Sequence, residues 1–106
     1  MKIIRPWGEV ETVLSEDRFQ CNLLTINPGE STFSHCHTKC TEVHTVIQGS
    51  VIAFRDGEEQ IFHKEQSIYI ERFQYHYFKC ISEEPFISLE VKTGSSFESH
   101  VPTKYD

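Results

Sequence analysis

Seven short runs with the composition of β-strands follow one another along the chain. Each is rich in Val, Ile, Phe, Tyr and Thr, and turn residues bound each one. No segment has a convincing 3.6-residue apolar period, which argues against helices. In a chain of 106 residues, this pattern predicts one all-β domain over residues 1–106, an antiparallel jelly-roll β-barrel. The predicted strands cover residues 19–26, 43–48, 50–55, 59–63, 67–70, 76–81 and 86–92.

The distribution of charge and of apolar residues excludes several classes of partner. The formal net charge is −6, and Lys and Arg residues are scattered singly. We therefore expect no nucleic-acid partner, since such partners need a basic patch. No apolar run approaches the roughly 20 residues that span a bilayer, so we expect no membrane partner. The first ten residues lack the apolar core of a secretory signal, which predicts a cytoplasmic protein.

The stretch "GESTFSHCHTKCTEVHTVIQG" from Gly29 to Gly49 concentrates metal-binding residue types. His35 and His37 are two residues apart, so on a strand they point to the same face. If "TKCT" forms a four-residue hairpin loop, Glu42 lies opposite His37, with Cβ atoms about 4.5–5.5 Å apart. Two imidazoles and a carboxylate suit Mn, Fe, Ni, Zn or Cu, and the sequence leaves that choice open. The alternative is that these are exposed polar residues near a turn.

A fourth ligand has to come from elsewhere in the sheet. His76, which opens a strand of its own, is the best candidate. His44 shares a face with Glu42 but lies one step further along, and we interpret it as a residue that supports the site or lines its pocket.

The four cysteines have mostly structural interpretations. In a reducing cytosol, Cys21, Cys36, Cys40 and Cys80 are expected to be free thiols, with metal ligation as a lesser alternative. Cys36 lies between two histidines of one face and therefore points away from the site. Cys40 lies in the predicted loop and could reach the metal, which would make a zinc site.

The stretch from Gly29 to Gly49 resembles the first motif of the cupin superfamily, G-x5-HxH-x4-E-x6-G, at every position. Of the second cupin motif, His76 alone is present. Within the superfamily, the chain resembles the type II mannose-6-phosphate isomerase domain. The segments that carry this resemblance are "RPWG" at 5–8, "INPGE" at 26–30, "SIYIE" at 67–71 and "SLEVKTGSSFES" at 88–99.

The resemblance implies a cupin β-barrel whose divalent metal is held by His35, His37, Glu42 and His76. It also implies an aldose–ketose isomerisation of a sugar phosphate. The expected ligand is accordingly a small polar molecule, a sugar or sugar phosphate. The resemblance, together with the benefit of covering open sheet edges, predicts a homodimer.

If the chain is such an isomerase, a base near the metal must move a proton between neighbouring carbons. His44 is the first candidate because its unperturbed pKa lies near neutrality. Lys92 and Glu90 share the polar face of the last strand, where they either contact substrate, with Lys92 as the second catalytic candidate, or face solvent. Arg5, Lys39 and Arg72 are further candidates for phosphate contacts. Two other functions stay open: an Fe(II)-dependent dioxygenase and a non-catalytic, metal-bearing sugar-binding accessory protein.

Overall fold

The chain folds into antiparallel β-strands without helices in a computed structural model that describes residues 1–98. Residues 99–106, the end of the predicted domain, lie outside the described residues. The all-β class is confirmed, and within the described range no helix is long and apolar enough to cross a membrane. The strands are β1 (Lys2–Arg5), β2 (Gly8–Ser15), β3 (Phe19–Ile26), β4 (Cys40–Gln48), β5 (Val51–Arg55), β6 (Glu58–Phe62), β7 (Ser67–Ile70), β8 (His76–Cys80) and β9 (Phe86–Gly94).

Two sheets form the jelly roll. One has the order β1-β2-β3-β9-β4-β7, and the other has the order β6-β5-β8. β4 lies beside β9 and β7, its partners in a sheet but not its neighbours in sequence. β5 and β6 are joined by Asp56 and Gly57, whose φ angles are 49° and 82°. Positive φ at both central residues is the geometry of a tight two-residue hairpin turn.

The interior changes from apolar to polar along the strands of the larger sheet. At one end, Ile26 of β3 pairs with Phe86 of β9, and both are fully buried. Further along, buried His44 of β4 pairs with Glu90 of β9. Burying each large apolar side chain contributes about 1.5–3 kcal/mol, so the apolar end stabilises the fold. The buried polar end needs partners for every charged group, and the candidate site lies there.

The predicted hairpin between the HxH segment and Glu42 is wrong. The segment pairs with β8 instead, through bridges that join Ser31 to Lys79 and His35 to His76. Cys40 and Thr41, which the predicted hairpin places in its loop, are the first residues of β4. Backbone hydrogen bonds therefore join His35 to β8 of the smaller sheet, and the chain then enters the larger sheet at Cys40. His37 and Glu42 meet across the interior and not across a turn.

Candidate metal centre

The four predicted metal ligands come together, although they lie on separate segments. His35 and His37 precede β4, Glu42 lies on β4, and His76 begins β8. One donor atom from each residue lies within 4.8 Å of a donor atom from every other. We call this set the four-donor cluster. His37, Glu42 and His76 are each at most 2% exposed, and His35 is partly buried.

Each histidine of the four-donor cluster is oriented by the backbone. Its Nδ1 lies within hydrogen-bond distance of a carbonyl oxygen, which can only accept, so Nδ1 must carry the proton. In the neutral ring Nε2 then has a free lone pair, the form that binds a metal. The three acceptors are Phe33 O for His35 (2.8 Å), Glu98 O for His37 (3.0 Å) and Gln74 O for His76 (3.0 Å).

The Glu42 carboxylate lies among these imidazoles. Its Oε1 is 3.6 Å from His76 Nε2, and its Oε2 contacts His37 Nε2. Both of these atoms are buried and face each other, and neither makes a further hydrogen bond. A proton or a metal ion between them would satisfy both. The donor set of the four-donor cluster, three imidazole nitrogens and one carboxylate, therefore fits a divalent metal ion.

Burial and neighbouring charge act differently on the acidities of this cluster. Burial raises the pKa of Glu42, but contacts with His37, His44 and His76 outweigh it and hold the pKa well below its usual range. Burial, reinforced by the charge of His76, lowers the pKa of His35 to about 4. Burial also lowers the pKa of His37, but contacts with Cys40 and Glu42 raise it to about 10. Without metal, a proton on His37 thus balances the buried carboxylate.

Metal binding should therefore release about one proton per ion at pH 7, because His37 has to lose its proton to become a ligand. His35, whose pKa is lowered to about 4, is already neutral there and releases none. The apparent metal affinity should rise about tenfold per pH unit from pH 7 to pH 9. Titration calorimetry in two buffers of different ionisation enthalpy measures this release. Equal heats in both buffers would show that His37 is neutral before the metal binds.

A second polar group adjoins the four-donor cluster on the wall formed by β4 and β9. His44 Nε2 lies 2.7 Å from Glu42 Oε1 and 3.4 Å from Glu90 Oε2. Lys92 Nζ lies 3.8 Å from Glu90 Oε1. The side chains of Glu90 and Lys92 are 9% and 16% exposed, and both line the same cavity as the metal ligands. The structure thus places the predicted catalytic residues His44 and Lys92 beside the cluster, and the solvent-facing alternative for Glu90 and Lys92 is wrong.

Two partners of this wall were missed in the sequence. Asn22 donates a hydrogen bond from Nδ2 to Glu90 Oε1 (2.8 Å), and the Ser88 hydroxyl bonds His44 Nδ1 (3.2 Å). Both residues are fully buried. Asn22 lies directly opposite Glu90 because of the register of β3 with β9, whereas Ser88 reaches His44 across the pairing of β9 with β4. The only available signal was that each is a polar residue at an inward position of an alternating strand.

The cavity beside the cluster has a volume of about 250 Å³. Its remaining walls are mainly apolar and include Trp7, Leu24 and Phe78. Of the three cations considered as phosphate contacts, Arg5 lines the cavity, whereas Lys39 and Arg72 are exposed and do not. A pocket of this size, apolar with a few convergent polar groups, suits a small polar molecule.

The cysteines are all present as thiols. Cys36 is buried and does not line the cavity, as expected for a side chain pointing away from its neighbouring histidines. Cys40 is 1% exposed and contacts His37, but it is not one of the four converging donors. Cys80 is fully buried against the turn that follows β8.

The amino-acid sequence is similar to one protein family and to several curated proteins. A family model described as "Mannose-6-phosphate isomerase C-terminal" matches residues 1–102. The mannose-1-phosphate guanylyltransferase of Escherichia coli is 29% identical over 97 residues, which are 92% of this chain and 20% of that protein. The chain thus spans about a fifth of the length of the curated relatives it matches.

Solved structures share the fold. The oxalate decarboxylase of Lactobacillus farciminis, in a formate complex, has a TM-score of 0.87 over 99% of this chain and 34% of that one, with 21% identity. The Cnp3 cupin domain of Schizosaccharomyces pombe has a TM-score of 0.79 over 81% of this chain and 64% of that one, with 13% identity. At these identities the likeness concerns the fold, and it confirms the predicted cupin jelly roll.

Proposed function

The chain belongs to the mannose-6-phosphate isomerase C-terminal family, and from this premise we propose that it is a metal-dependent aldose–ketose isomerase of a sugar phosphate. The observation that carries the proposal is the convergence of three backbone-oriented imidazoles and one carboxylate on the wall of a small cavity. The relatives, mannose-1-phosphate guanylyltransferases among them, associate this kind of domain with sugar-phosphate metabolism.

The residues of the four-donor cluster would hold the metal. A divalent ion bound there would act as a Lewis acid that stabilises negative charge on a carbonyl or hydroxyl oxygen. The cluster lies on one wall of the cavity, so a ligand in the cavity can approach it from the open side. His44 supports this arrangement by donating a hydrogen bond from Nε2 to Glu42, which fixes the carboxylate.

The remaining cavity residues would bind and orient the ligand. Arg5 and Lys92 supply positive charge for a phosphate group. Trp7 and Phe78 provide apolar walls that limit the access of water. The reaction also needs a group that takes a proton from one carbon and returns it to the next. Glu90, His44 and Lys92 are ionisable groups on the wall next to the cluster.

Purified protein loaded with Mn²⁺, Fe²⁺, Ni²⁺ or Zn²⁺ should interconvert mannose 6-phosphate and fructose 6-phosphate, or another aldose–ketose phosphate pair. The activity should disappear with a chelator and return when metal is restored, because the lone pairs of the cluster cannot replace a Lewis acid. The measurement is product formation, followed by NMR, over a panel of sugar phosphates.

Three results would contradict the isomerase proposal. No turnover of any sugar phosphate at full metal occupancy would remove it outright. Oxygen consumption by the iron-loaded protein would favour a dioxygenase. A rise in melting temperature on adding sugar phosphate, without turnover, would favour an accessory binding protein.

A further inference from the structure

We propose that Glu90 is the proton-transferring residue of this site and that His44 is a positioning residue. The inference rests on the proposed isomerase function and assigns the step that the four-donor cluster does not perform. It reverses the expectation from the sequence, in which His44 was the first candidate for the base.

Both ring nitrogens of His44 are already engaged in the wall of the barrel. Nε2 is 2.7 Å from Glu42 Oε1, and a carboxylate can only accept, so Nε2 donates its proton there. Nδ1 is 3.2 Å from the Ser88 hydroxyl. The ring also packs edge-on against Phe78, with ring centroids 4.8 Å apart. To accept a proton from a ligand, His44 would have to break one of these bonds inside a buried wall.

One carboxylate oxygen of Glu90 is held by neighbouring side chains, and the other is available to a ligand. Oε1 accepts a hydrogen bond from Asn22 Nδ2 at 2.8 Å and lies 3.8 Å from Lys92 Nζ. Oε2 lies 3.4 Å from His44 Nε2, whose N–H is given to Glu42 at the shorter distance of 2.7 Å. Glu90 lines the cavity and is 7% exposed. Its carboxylate is therefore oriented by Asn22 and Lys92, with Oε2 free to meet a ligand.

The position of Glu90 suits proton transfer beside the cluster. One carboxylate oxygen of Glu90 lies within 4.8 Å of a donor atom of Glu42. A ligand whose oxygens face the cluster would therefore present its neighbouring carbon within reach of Glu90. A general base needs this contact, at about 2.6–3.2 Å or through one water, in the complex with substrate.

The step balances without an external oxidant or reductant. Glu90 takes the proton from C2, the carbon next to the carbonyl C1. The C2–H electron pair forms the C1–C2 double bond, and the carbonyl π pair moves to the C1 oxygen. The C2 hydroxyl proton then passes to the C1 oxygen, and the electron pair it leaves forms the C2 carbonyl bond. At the same time the C1–C2 π pair takes the proton back from Glu90 at C1. C2 becomes the carbonyl carbon and C1 carries the hydroxyl, while Glu90 is again a carboxylate.

The test compares Glu90→Gln, Glu90→Asp and His44→Gln in the full, metal-loaded chain, with exposed Glu11→Gln as the control. The readouts are isomerisation of mannose 6-phosphate, exchange of its C2 hydrogen with D₂O, metal content, and the pH profile of kcat/KM. Glu90→Gln should lower isomerisation and exchange by about 100-fold to 10,000-fold while metal content is retained, since general bases contribute that much. Glu90→Asp, which keeps a carboxylate, should recover part of both rates.

The pH profile separates the base from the positioning residue. His44→Gln should lower kcat but leave the acidic limb of the profile in place, because the proposed base is still present. Glu90→Gln should remove that limb from whatever activity is left. These two outcomes together support the assignment.

Three outcomes would overturn it. If Glu90→Gln keeps its exchange rate within threefold of the wild type, Glu90 is not the base. If His44→Gln removes the acidic limb and Glu90→Gln does not, the base is His44. In both cases wild-type turnover leaves the isomerase proposal intact. If the metal-loaded wild type neither isomerises nor exchanges any sugar phosphate, the isomerase proposal and this assignment fall together.

Discussion

Replacing His76 with glutamine should lower the affinity for a divalent metal by more than about 100-fold. Loss of a partner that only orients a ligand already costs 10-fold to 100-fold, and this substitution removes a ligand itself. His76 is 2% exposed. The other two imidazoles, His35 and His37, are each held by a backbone carbonyl oxygen, so neither can take its place without breaking that bond. Metal content after dialysis and titration calorimetry measure the effect.

The matched control for this prediction is His63→Gln. His63 is exposed, follows β6, bonds Ser50 Oγ through Nδ1 at 2.8 Å, and does not line the cavity. This variant should bind metal as the wild type does. Unchanged affinity in His76→Gln would show that the ion is held elsewhere or with three ligands. An equal loss in both variants would show that histidines outside the four-donor cluster contribute.

The sequence was sufficient to name the four donors, but not to explain how they meet. HxH spacing on an extended segment places two imidazoles on one face, and that inference holds for any strand pairing. The opposition of His37 and Glu42 depended on one particular pairing, a hairpin through residues 38–41. The structure pairs the HxH segment with β8 instead. Strand pairing is a long-range choice, and local residue types do not decide it.

Seven of the strands could be predicted because each is a short run rich in Val, Ile, Phe, Tyr and Thr between clear turn residues. The two N-terminal strands, β1 and β2, are absent from that prediction. Pro6 and Gly8 interrupt the apolar pattern, and β2 carries two glutamates among its valines and threonine. Neither strand buries a continuous apolar face, so their formation depends on pairing with β3, which local composition does not reveal.

The polar wall was the least predictable part of the site. Glu90 and Lys92 alternate with apolar residues on β9, and that pattern fits a solvent-facing row as well as an inward-facing row. The structure turns this row inward, and buried Asn22 and His44 are its neighbours across β3 and β4. An inward polar row is costly unless its groups are paired, and here Asn22, His44 and Lys92 all contact Glu90.

Gly94→Ala should destabilise the fold by about 3 kcal/mol or more, because the β9 backbone passes directly against the start of β4. A Cβ at Gly94 would overlap the carbonyl oxygen of Lys39 and lie 2.6 Å from Cys40 Cα. Gly94 pairs with Cys40, two residues before Glu42, so the two strands would have to separate there. In a domain of this size the melting temperature should fall by about 15 °C, as measured by thermal unfolding of the metal-free protein.

Gly57→Ala separates this clash from the general cost of replacing glycine. Gly57 has a φ of 82°, and a Cβ there would meet nothing within 4 Å. Its substitution should therefore cost only about 1 kcal/mol, the penalty for a side chain in the left-handed region. If both variants lost the same free energy of unfolding, the clash of β9 with β4 would not explain the effect of Gly94→Ala. If Gly94→Ala also weakened metal binding and Gly57→Ala did not, the register of β4 against β9 would be what places Glu42 among the histidines.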